Sequence, residues 1–186
     1  MRTAGFVLVG GMSTRMGQDK ALLPWRSRPL VEKIAAMVAA AAGSVTLVGR
    51  PERYGDLGIS CLPDRRDQLG PLAGIEAALE SMQAEWNLIA ACDMPGLDSG
   101  ALHCLLDKAV QTNASCVAAR DVTGQIHPLC AVYHSRCLPL IKRALEEGRL
   151  KLMKVLEELG AEYVPVQTEL ANINTPEEWL RWRQFS

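Results

Sequence analysis

Short apolar runs alternate along the chain with longer segments in which apolar residues recur at helical spacing. Residues 4–9 form an apolar run that ends at two glycines, a pattern typical of a buried strand. Within residues 72–82, apolar side chains at positions 72, 75, 79 and 82 predict a helix. The same reasoning predicts further strands at 45–48, 59–62, 86–91, 116–119, 129–133 and 162–166, and further helices at 29–42, 99–110, 136–147 and 150–159.

The order of these elements predicts the fold class. Ser99 is the predicted N-cap of the helix at 99–110, and Thr175, Pro176 and Glu178 have the spacing of a capping box that opens a last helix. Because strands alternate with helices, we expect a three-layer α/β fold with a mostly parallel sheet and helices on both faces. Ligands of such sheets bind at the carboxyl ends of the strands. The loops of interest therefore follow Val9, Leu62 and Ala91.

Length and charge exclude several classes of protein. A chain of 186 residues predicts a single domain, residues 1–186. Lys and Arg total 20 and Asp and Glu total 21, for a net charge of −1, which argues against general nucleic-acid binding but leaves room for a local phosphate site. The longest uncharged stretch, 34–49, has 16 residues, fewer than the ~18 of a membrane span. No secretory cleavage site follows residues 4–10. We expect a cytoplasmic protein.

The six cysteines show no C-x-x-C pair, and the three histidines show no zinc-site spacing. Cys92, Cys116 and Cys130 lie inside apolar runs. We expect buried free thiols in a reducing compartment rather than disulfides or metal ligands.

The loop after the first strand has the composition of a phosphate site. Its glycines fall at 10, 11 and 17, so it is neither a Walker A loop nor G-x-G-x-x-G. Gly10 and Gly11 allow backbone N–H groups to approach a ligand, and Arg15 and Lys20 add two cations. By composition alone, a plain surface loop with solvated charges explains these residues equally well.

Residues 8–24 decide between these interpretations. The segment from Leu8 to Pro24, Leu-x-Gly-Gly-x-Ser-x-Arg-Met-Gly-x-Asp-Lys-Ala-Leu-Leu-Pro, resembles the N-terminal signature of nucleotidyltransferases that activate sugars and cofactors. The chain is most similar to the molybdenum-cofactor guanylyltransferases, the MobA family. Further matching segments follow in order at 70–75 (Gly-Pro-Leu-Ala-Gly-Ile), 92–95 (Cys-Asp-Met-Pro), 127–129 (His-Pro-Leu) and 172–178 (Asn-Ile-Asn-Thr-Pro-Glu-Glu). The resemblance implies a Rossmann-like nucleotidyltransferase fold.

The resemblance also implies residue roles on the nucleotide side. Asp93 directly follows a strand, where a carboxylate can hold Mg²⁺ together with phosphate oxygens and waters, although a turn or cap before Pro95 is the alternative. In the family the matching Asp is the metal ligand. The implied catalytic residues are Arg15, Lys20 and Asp93. The implied nucleotide-binding residues are Leu8, Val9, Gly10, Gly11, Lys20, Asp64 and Asp93, with Asp67 as the alternative to Asp64.

On the acceptor side the resemblance implies Asn172, Asn174 and His127. The two asparagines point the same way if their segment is extended, but helix capping explains them equally well. A structural role is the alternative for His127. One departure concerns the base site: some relatives have a nucleotide-contacting Asn after the second strand, where this chain reads Val-Gly-Arg-Pro at 48–51.

The implied reaction transfers GMP from GTP to the terminal phosphate of molybdopterin-bound molybdenum and releases pyrophosphate. We expect residues 1–110 to bind the nucleotide, residues 111–186 to form the acceptor side, and the protein to act as a monomer with transient contacts to cofactor-insertion proteins or recipient molybdoenzymes. Two alternatives stay open. The first is the same chemistry with CTP or with another phosphorylated acceptor, and the second is a non-catalytic nucleotide-binding chaperone that presents the cofactor.

Overall fold

A seven-stranded sheet organises the chain in a computed structural model that describes residues 2–10, 19–64, 66 and 69–184. The strands are β1 (Thr3–Leu8), β2 (Pro24–Trp25), β3 (Arg28–Pro29), β4 (Thr46–Gly49), β5 (Cys61–Pro63), β6 (Trp86–Ala91), β7 (Cys116–Arg120), β8 (Ile126–His134) and β9 (Glu162–Pro165). The α-helices are α1 (Leu30–Ala42), α2 (Pro51–Tyr54), α3 (Pro71–Glu80), α4 (Ser99–Gln111), α5 (Leu138–Glu146), α6 (Leu152–Glu158) and α7 (Pro176–Arg183).

The large sheet has the order β5-β4-β1-β6-β8-β7-β9, and β2 and β3 form a separate hairpin. Every neighbouring pair in the large sheet is parallel except the two that involve β8. The predicted mostly parallel sheet is therefore confirmed. The antiparallel β8 arises because the turn after β7 reverses the chain within five residues, 121–125, leaving no room for a crossover.

Helices cover both faces of this sheet, which confirms the three-layer fold class. Side chains alternate along β1, so that Val7 faces a core with α1, α4 and Trp179 of α7, whereas Phe6 and Leu8 face a core with α3, α5 and α6. Both cores consist mainly of fully buried aliphatic side chains. Burial on two faces explains why β1 and β6 read as mainly apolar runs in the sequence, interrupted in β6 by the buried Asn87.

Several local predictions need correction or addition. Asp98, not Ser99, is the N-cap of α4, because its extended backbone and its carboxylate, which accepts from Ala101 N at 2.8 Å, meet the requirements of that position. The capping box that opens α7 at Thr175 is confirmed. The hairpin of β2 and β3 and the short α2 escaped prediction because elements of two to four residues show no periodicity.

The carboxyl ends of β1, β4, β6 and β7 meet along one edge of the sheet, together with the amino end of the antiparallel β8. The predicted site residues of the described chain follow or flank these ends. Cys92, Cys116 and Cys130 are buried free thiols, as predicted. Among the described residues, no helix has both the length and the apolarity that a membrane span requires.

Candidate functional site

Four predicted site residues meet beyond the carboxyl ends of β1 and β6. The ammonium group of Lys20 donates to Asp93 Oδ2 at 3.0 Å and to Asn174 Oδ1 at 2.9 Å. Asn172 Nδ2 donates to Asp93 Oδ1 at 2.7 Å. Lys20 and Asp93 lie 73 positions apart in the chain, and Lys20 and Asn174 lie 154 apart. The fold therefore joins one cation, one carboxylate and two amides, which we call the Asp93 cluster.

Two backbone hydrogen bonds, one at Cys92 and one at Asp93 itself, fix the position of Asp93. The N–H of Cys92 donates to Leu8 O at 3.2 Å, which extends the pairing of β6 with β1 by one residue. The N–H of Ile173 donates to Asp93 O at 2.9 Å. The carboxylate remains partly accessible, with 18% of its side chain exposed. Counting donors from the described residues, each carboxylate oxygen accepts one hydrogen bond in the cluster, which leaves a second lone pair to face a ligand.

Lys20 begins a single 3₁₀ turn whose N-cap is Asp19. The Asp19 carboxylate accepts from Ala21 N at 3.0 Å and from the hydroxyl of Tyr54 at 2.7 Å. Tyr54 is 1% exposed, and burial together with its hydrogen bond to Asp19 raises the pKa of its hydroxyl well above the usual range. Tyr54 thus ties the end of α2 to the turn that carries Lys20. Sequence reasoning missed this link, because a Tyr in a short polar segment has no distinctive pattern.

A second tie runs from the loop after Asp93 to α1 and the hairpin. Lys33 Nζ donates to Pro95 O at 2.5 Å and lies 4.3 Å from the ring centre of Trp25. Trp25 packs against Trp179 of α7 with ring centres 5.9 Å apart. Burial is the main reason that the pKa of Lys33 lies below its ordinary value. These contacts hold the loop, the hairpin and α7 around the Asp93 cluster.

Glycines lie just after β1, at Gly10, and at the end of β4, at Gly49. Gly10 has φ of +123°, a conformation that favours glycine, and is exposed at the end of β1. A Cβ on Gly49 would lie 2.1 Å from Val9 O, so only glycine lets β4 pass this close to β1. Leu8 and Val9 are buried and extend β1 to this edge. Gly11 and Arg15 lie outside the described residues.

Asp64 follows β5 near the same edge. Its N–H donates to Gly49 O at 3.4 Å, and its carboxylate accepts from Arg66 N at 3.1 Å. Asp64 therefore stands beside the loop after β4, where the sequence departs from some relatives. Asp67, the alternative to Asp64, lies outside the described residues.

His127 is not part of the Asp93 cluster. Its imidazole is 2% exposed and its Nε2 lies 2.9 Å from Asp121 Oδ2. Burial alone would raise the pKa of Asp121, but hydrogen bonds from Thr123, His127 and backbone N–H groups outweigh it and hold that pKa well below its ordinary value. The proposed contact between His127 and an acceptor stays a prediction. Asp121 was missed because it reads as an ordinary turn residue.

The side chains around Asp93 suit a cation that takes only one ligand from the protein and the others from a bound nucleotide and water. Among the described residues no three His, Cys, Asp or Glu side chains lie close enough to form a metal cage. Asp93 offers one partly exposed carboxylate beside the amide group of Asn172. Mg²⁺ is commonly held by one or two carboxylates, with phosphate oxygens and waters completing its octahedron. The residues present therefore fit Mg²⁺ bound together with a nucleotide.

Comparison with known proteins agrees with this geometry. The family model of the MobA-like NTP transferase domain matches residues 5–163. The chain is 32% identical over 188 residues to a molybdenum cofactor guanylyltransferase of Serratia proteamaculans, covering 97% of this chain and 93% of that protein. It is 35% identical over 181 residues to a probable molybdenum cofactor guanylyltransferase of a Nostoc species, covering 92% and 86%.

A solved structure shares the fold over the whole length. Molybdopterin-guanine dinucleotide biosynthesis protein A from Archaeoglobus fulgidus is 25% identical, with a TM-score of 0.82 over 98% of this chain and 97% of that chain. CMP:2-keto-3-deoxy-manno-octonic acid synthetase, at 12% identity and a TM-score of 0.81, shows the fold alone. With its family model matched over most of its length, the chain belongs to the MobA-like NTP transferases, as its motifs predicted.

Proposed function

We propose that this protein transfers GMP from GTP to the terminal phosphate of molybdenum-bound molybdopterin, giving the guanine dinucleotide form of the cofactor and pyrophosphate. The observation that carries the proposal is the Asp93 cluster, which gathers a lysine, a carboxylate and two amides where a triphosphate would meet an acceptor. The relatives named as molybdenum cofactor guanylyltransferases supply the substrate class.

The reaction needs alignment more than proton transfer. An oxygen of the acceptor phosphate forms a bond to the α-phosphorus of GTP, and the bond from that phosphorus to the bridging oxygen of pyrophosphate breaks. The second pKa of such a phosphate monoester is about 6, so the nucleophile is largely ionised at neutral pH and needs no side-chain base. The chain has to bring two anions together and to neutralise the leaving group.

Lys20 and Arg15 are the proposed cations for the pyrophosphate. The ammonium group of Lys20 uses two of its three N–H donors on Asp93 Oδ2 and Asn174 Oδ1, and the third is proposed to bind a phosphate oxygen. Asp93 would hold Mg²⁺, which supplies charge neutralisation on the phosphates when bound. Cys92 is no candidate nucleophile, because burial raises the pKa of its thiol well above its ordinary value.

The nucleotide and the acceptor approach different regions of the chain. We propose that Leu8, Val9, Gly10, Gly11 and Asp64 contact GTP, all within the nucleotide-binding residues 1–110. We propose that Asn172, Asn174 and His127 serve the acceptor, within residues 111–186. The protein would act as a cytoplasmic monomer that hands its product to cofactor-insertion proteins or recipient molybdoenzymes.

The test is incubation of the protein with Mg²⁺, the molybdenum cofactor and each of the four NTPs in turn, followed by identification of the dinucleotide by mass. The guanine dinucleotide and pyrophosphate are expected from GTP. A protein that binds GTP but releases no pyrophosphate with acceptor present is a chaperone and not a transferase. A product formed only from CTP would leave the chemistry in place and overturn the assignment of the base.

A further inference from the structure

Asp121 is a buried carboxylate that the proposed transfer does not use directly. It follows β7, and its side chain is 2% exposed. Oδ1 accepts from Thr123 N at 2.9 Å, Thr123 Oγ1 at 2.6 Å and Gln125 N at 3.0 Å. Oδ2 faces His127 Nε2 at 2.9 Å and accepts from Leu170 N at 3.4 Å. One oxygen therefore serves a local turn, and the other serves a segment 49 positions away.

The local turn does not by itself require a charged residue. Asn closes the same kind of turn with its side-chain oxygen and is as common there as Asp. A buried carboxylate is costly unless its lone pairs are satisfied by donors. Asp121 differs from an Asn in its second oxygen, Oδ2, which accepts hydrogen bonds from His127 Nε2 and from the N–H of Leu170. An amide NH₂ group in that place would face the N–H of Leu170 with another donor.

Leu170 opens the segment that carries the two amides of the Asp93 cluster. Leu170 and Ile173 are both completely buried, which fixes the segment against the core. The N–H of Ile173 donates to Asp93 O, and Asn172 donates to the carboxylate of Asp93. The segment from 170 to 174 is thus anchored at its start by Asp121 and further along by Asp93.

Close packing just before Leu170 adds a third constraint. A Cβ on Gly96 would lie 2.2 Å from Glu169 O, and Thr168 Oγ1 donates to Gly96 O at 2.9 Å. The segment therefore has little freedom to compensate for a lost contact at Leu170. A shift at Leu170 would therefore reach Asn172, two residues further on.

We propose that Asp121 is a positioning residue, which places the amides of Asn172 and Asn174 by holding the N–H of Leu170. The inference rests on the proposed function in one respect, namely that these amides serve the acceptor. His127 then acts by donating from Nε2 to Oδ2, which leaves the carboxylate satisfied and oriented. Asp121 does not itself touch GTP or the acceptor.

The test variant is Asp121→Asn, which keeps the turn-forming oxygen and replaces only Oδ2. Leaving a buried N–H without an acceptor lowers kcat/KM for the acceptor by about tenfold or more. The Kd for GTP, measured by calorimetry, stays within about twofold of wild type, because Lys20 keeps its hydrogen bond to the carboxylate of Asp93. Amide exchange in a peptide covering 167–174 becomes faster, whereas exchange in a peptide covering 3–9 does not change.

Thr123→Val is the matched control. It removes the hydroxyl bond to Oδ1 in the same turn and leaves Oδ2 with both of its donors. Acceptor kinetics and exchange at 167–174 should stay at wild-type values. Should Asp121→Asn not fold, Asp121→Ser keeps an oxygen for the turn and opens space for water at Oδ2, and the same acceptor-specific loss is expected of it.

The outcomes separate the inference from the proposed function. If wild type makes no dinucleotide, the proposed function fails, while the exchange measurement still tests the link from Asp121 to Leu170. If wild type is active and Asp121→Asn loses GTP affinity and acceptor turnover equally, with faster exchange throughout, Asp121 has only a general structural role. Unchanged acceptor kinetics and unchanged exchange at 167–174 would also overturn the inference.

Discussion

Replacing Asp93 by Asn separates binding from catalysis in this site. The substitution preserves the size of the side chain and removes one negative charge. The amide oxygen can still accept from Lys20, and the amide nitrogen can donate to the oxygen of Asn172 once that amide rotates. Lys20 also keeps its bond to Asn174 Oδ1. We therefore expect a loss of about 1 kcal/mol or less in the free energy of unfolding, and a Tm within about 4 °C of wild type.

The Asp93→Asn substitution should lower the turnover rate far more than it lowers the stability. A group that holds charge in place for the transition state contributes about 3 to 4 kcal/mol, so kcat should fall by about 10² to 10³. Binding of GTP in metal-free buffer should be unchanged or slightly tighter, because the anionic triphosphate no longer meets a carboxylate. The assays are pyrophosphate release at saturating Mg²⁺ and calorimetric titration of GTP in the presence of chelator.

Asp98→Asn provides a matched control on the same loop. Asp98 is exposed and caps α4, and Asn is an equally good N-cap, so the same change of charge occurs without loss of the cap. Its turnover should stay within about twofold of wild type. Near-wild-type turnover of Asp93→Asn at saturating Mg²⁺ would refute the role of Asp93 as metal ligand. A metal-free Kd for GTP that weakens as much as kcat would show that Asp93 only shapes the pocket.

Three further variants test other regions of the site. Lys20→Ala should lower kcat by about 10² or more, since its cation neutralises the leaving pyrophosphate, and an unchanged steady-state rate would restore the plain surface loop as the explanation of residues 10–20. Tyr54→Phe removes the hydroxyl that donates to Asp19, and should cost about 1.5 to 3 kcal/mol in urea unfolding; no loss would show that the contact is unimportant for stability. The folded-state pKa of Asp121 lies below its ordinary value of 3.8, so the stability it provides is present above that value and is lost as the pH falls through the folded pKa. The difference in unfolding free energy between wild type and Asp121→Asn should therefore narrow from about pH 5 to about pH 3, and a constant difference would contradict the low pKa.

The sequence predicts those features of the fold that depend on local patterns. Strands β1 and β6 are buried on both faces and stand out as apolar runs, and the rule that ligands bind at strand ends leads to Asp93. The direction of β8 is not encoded in its own residues, because an apolar strand reads alike in both directions. It follows from the short turn after β7, whose effect on the sheet order depends on tertiary packing.

Long-range contacts in the site could not be predicted by the same means. Lys20 and Asn174 were candidates through the family resemblance, but their direct hydrogen bond depends on how α7 and the hairpin pack together. Asp121 looked like any turn residue, since its distinctive partner is a backbone N–H that carries no sequence signal. The same holds for Gly49, whose need for glycine comes from Val9 O on a neighbouring strand.

A competition assay between GTP and CTP tests whether the protein transfers GMP. Wild-type protein, Mg²⁺ and the molybdenum cofactor are mixed with equimolar GTP and CTP, and the dinucleotide products are quantified by mass. A pocket that hydrogen-bonds the guanine edge leaves its polar groups unpaired with the wrong base, which supports discrimination of about 100-fold or more. We expect guanine dinucleotide in about 100-fold or greater excess over cytosine dinucleotide. Predominant cytosine dinucleotide, or no dinucleotide at all, would contradict it.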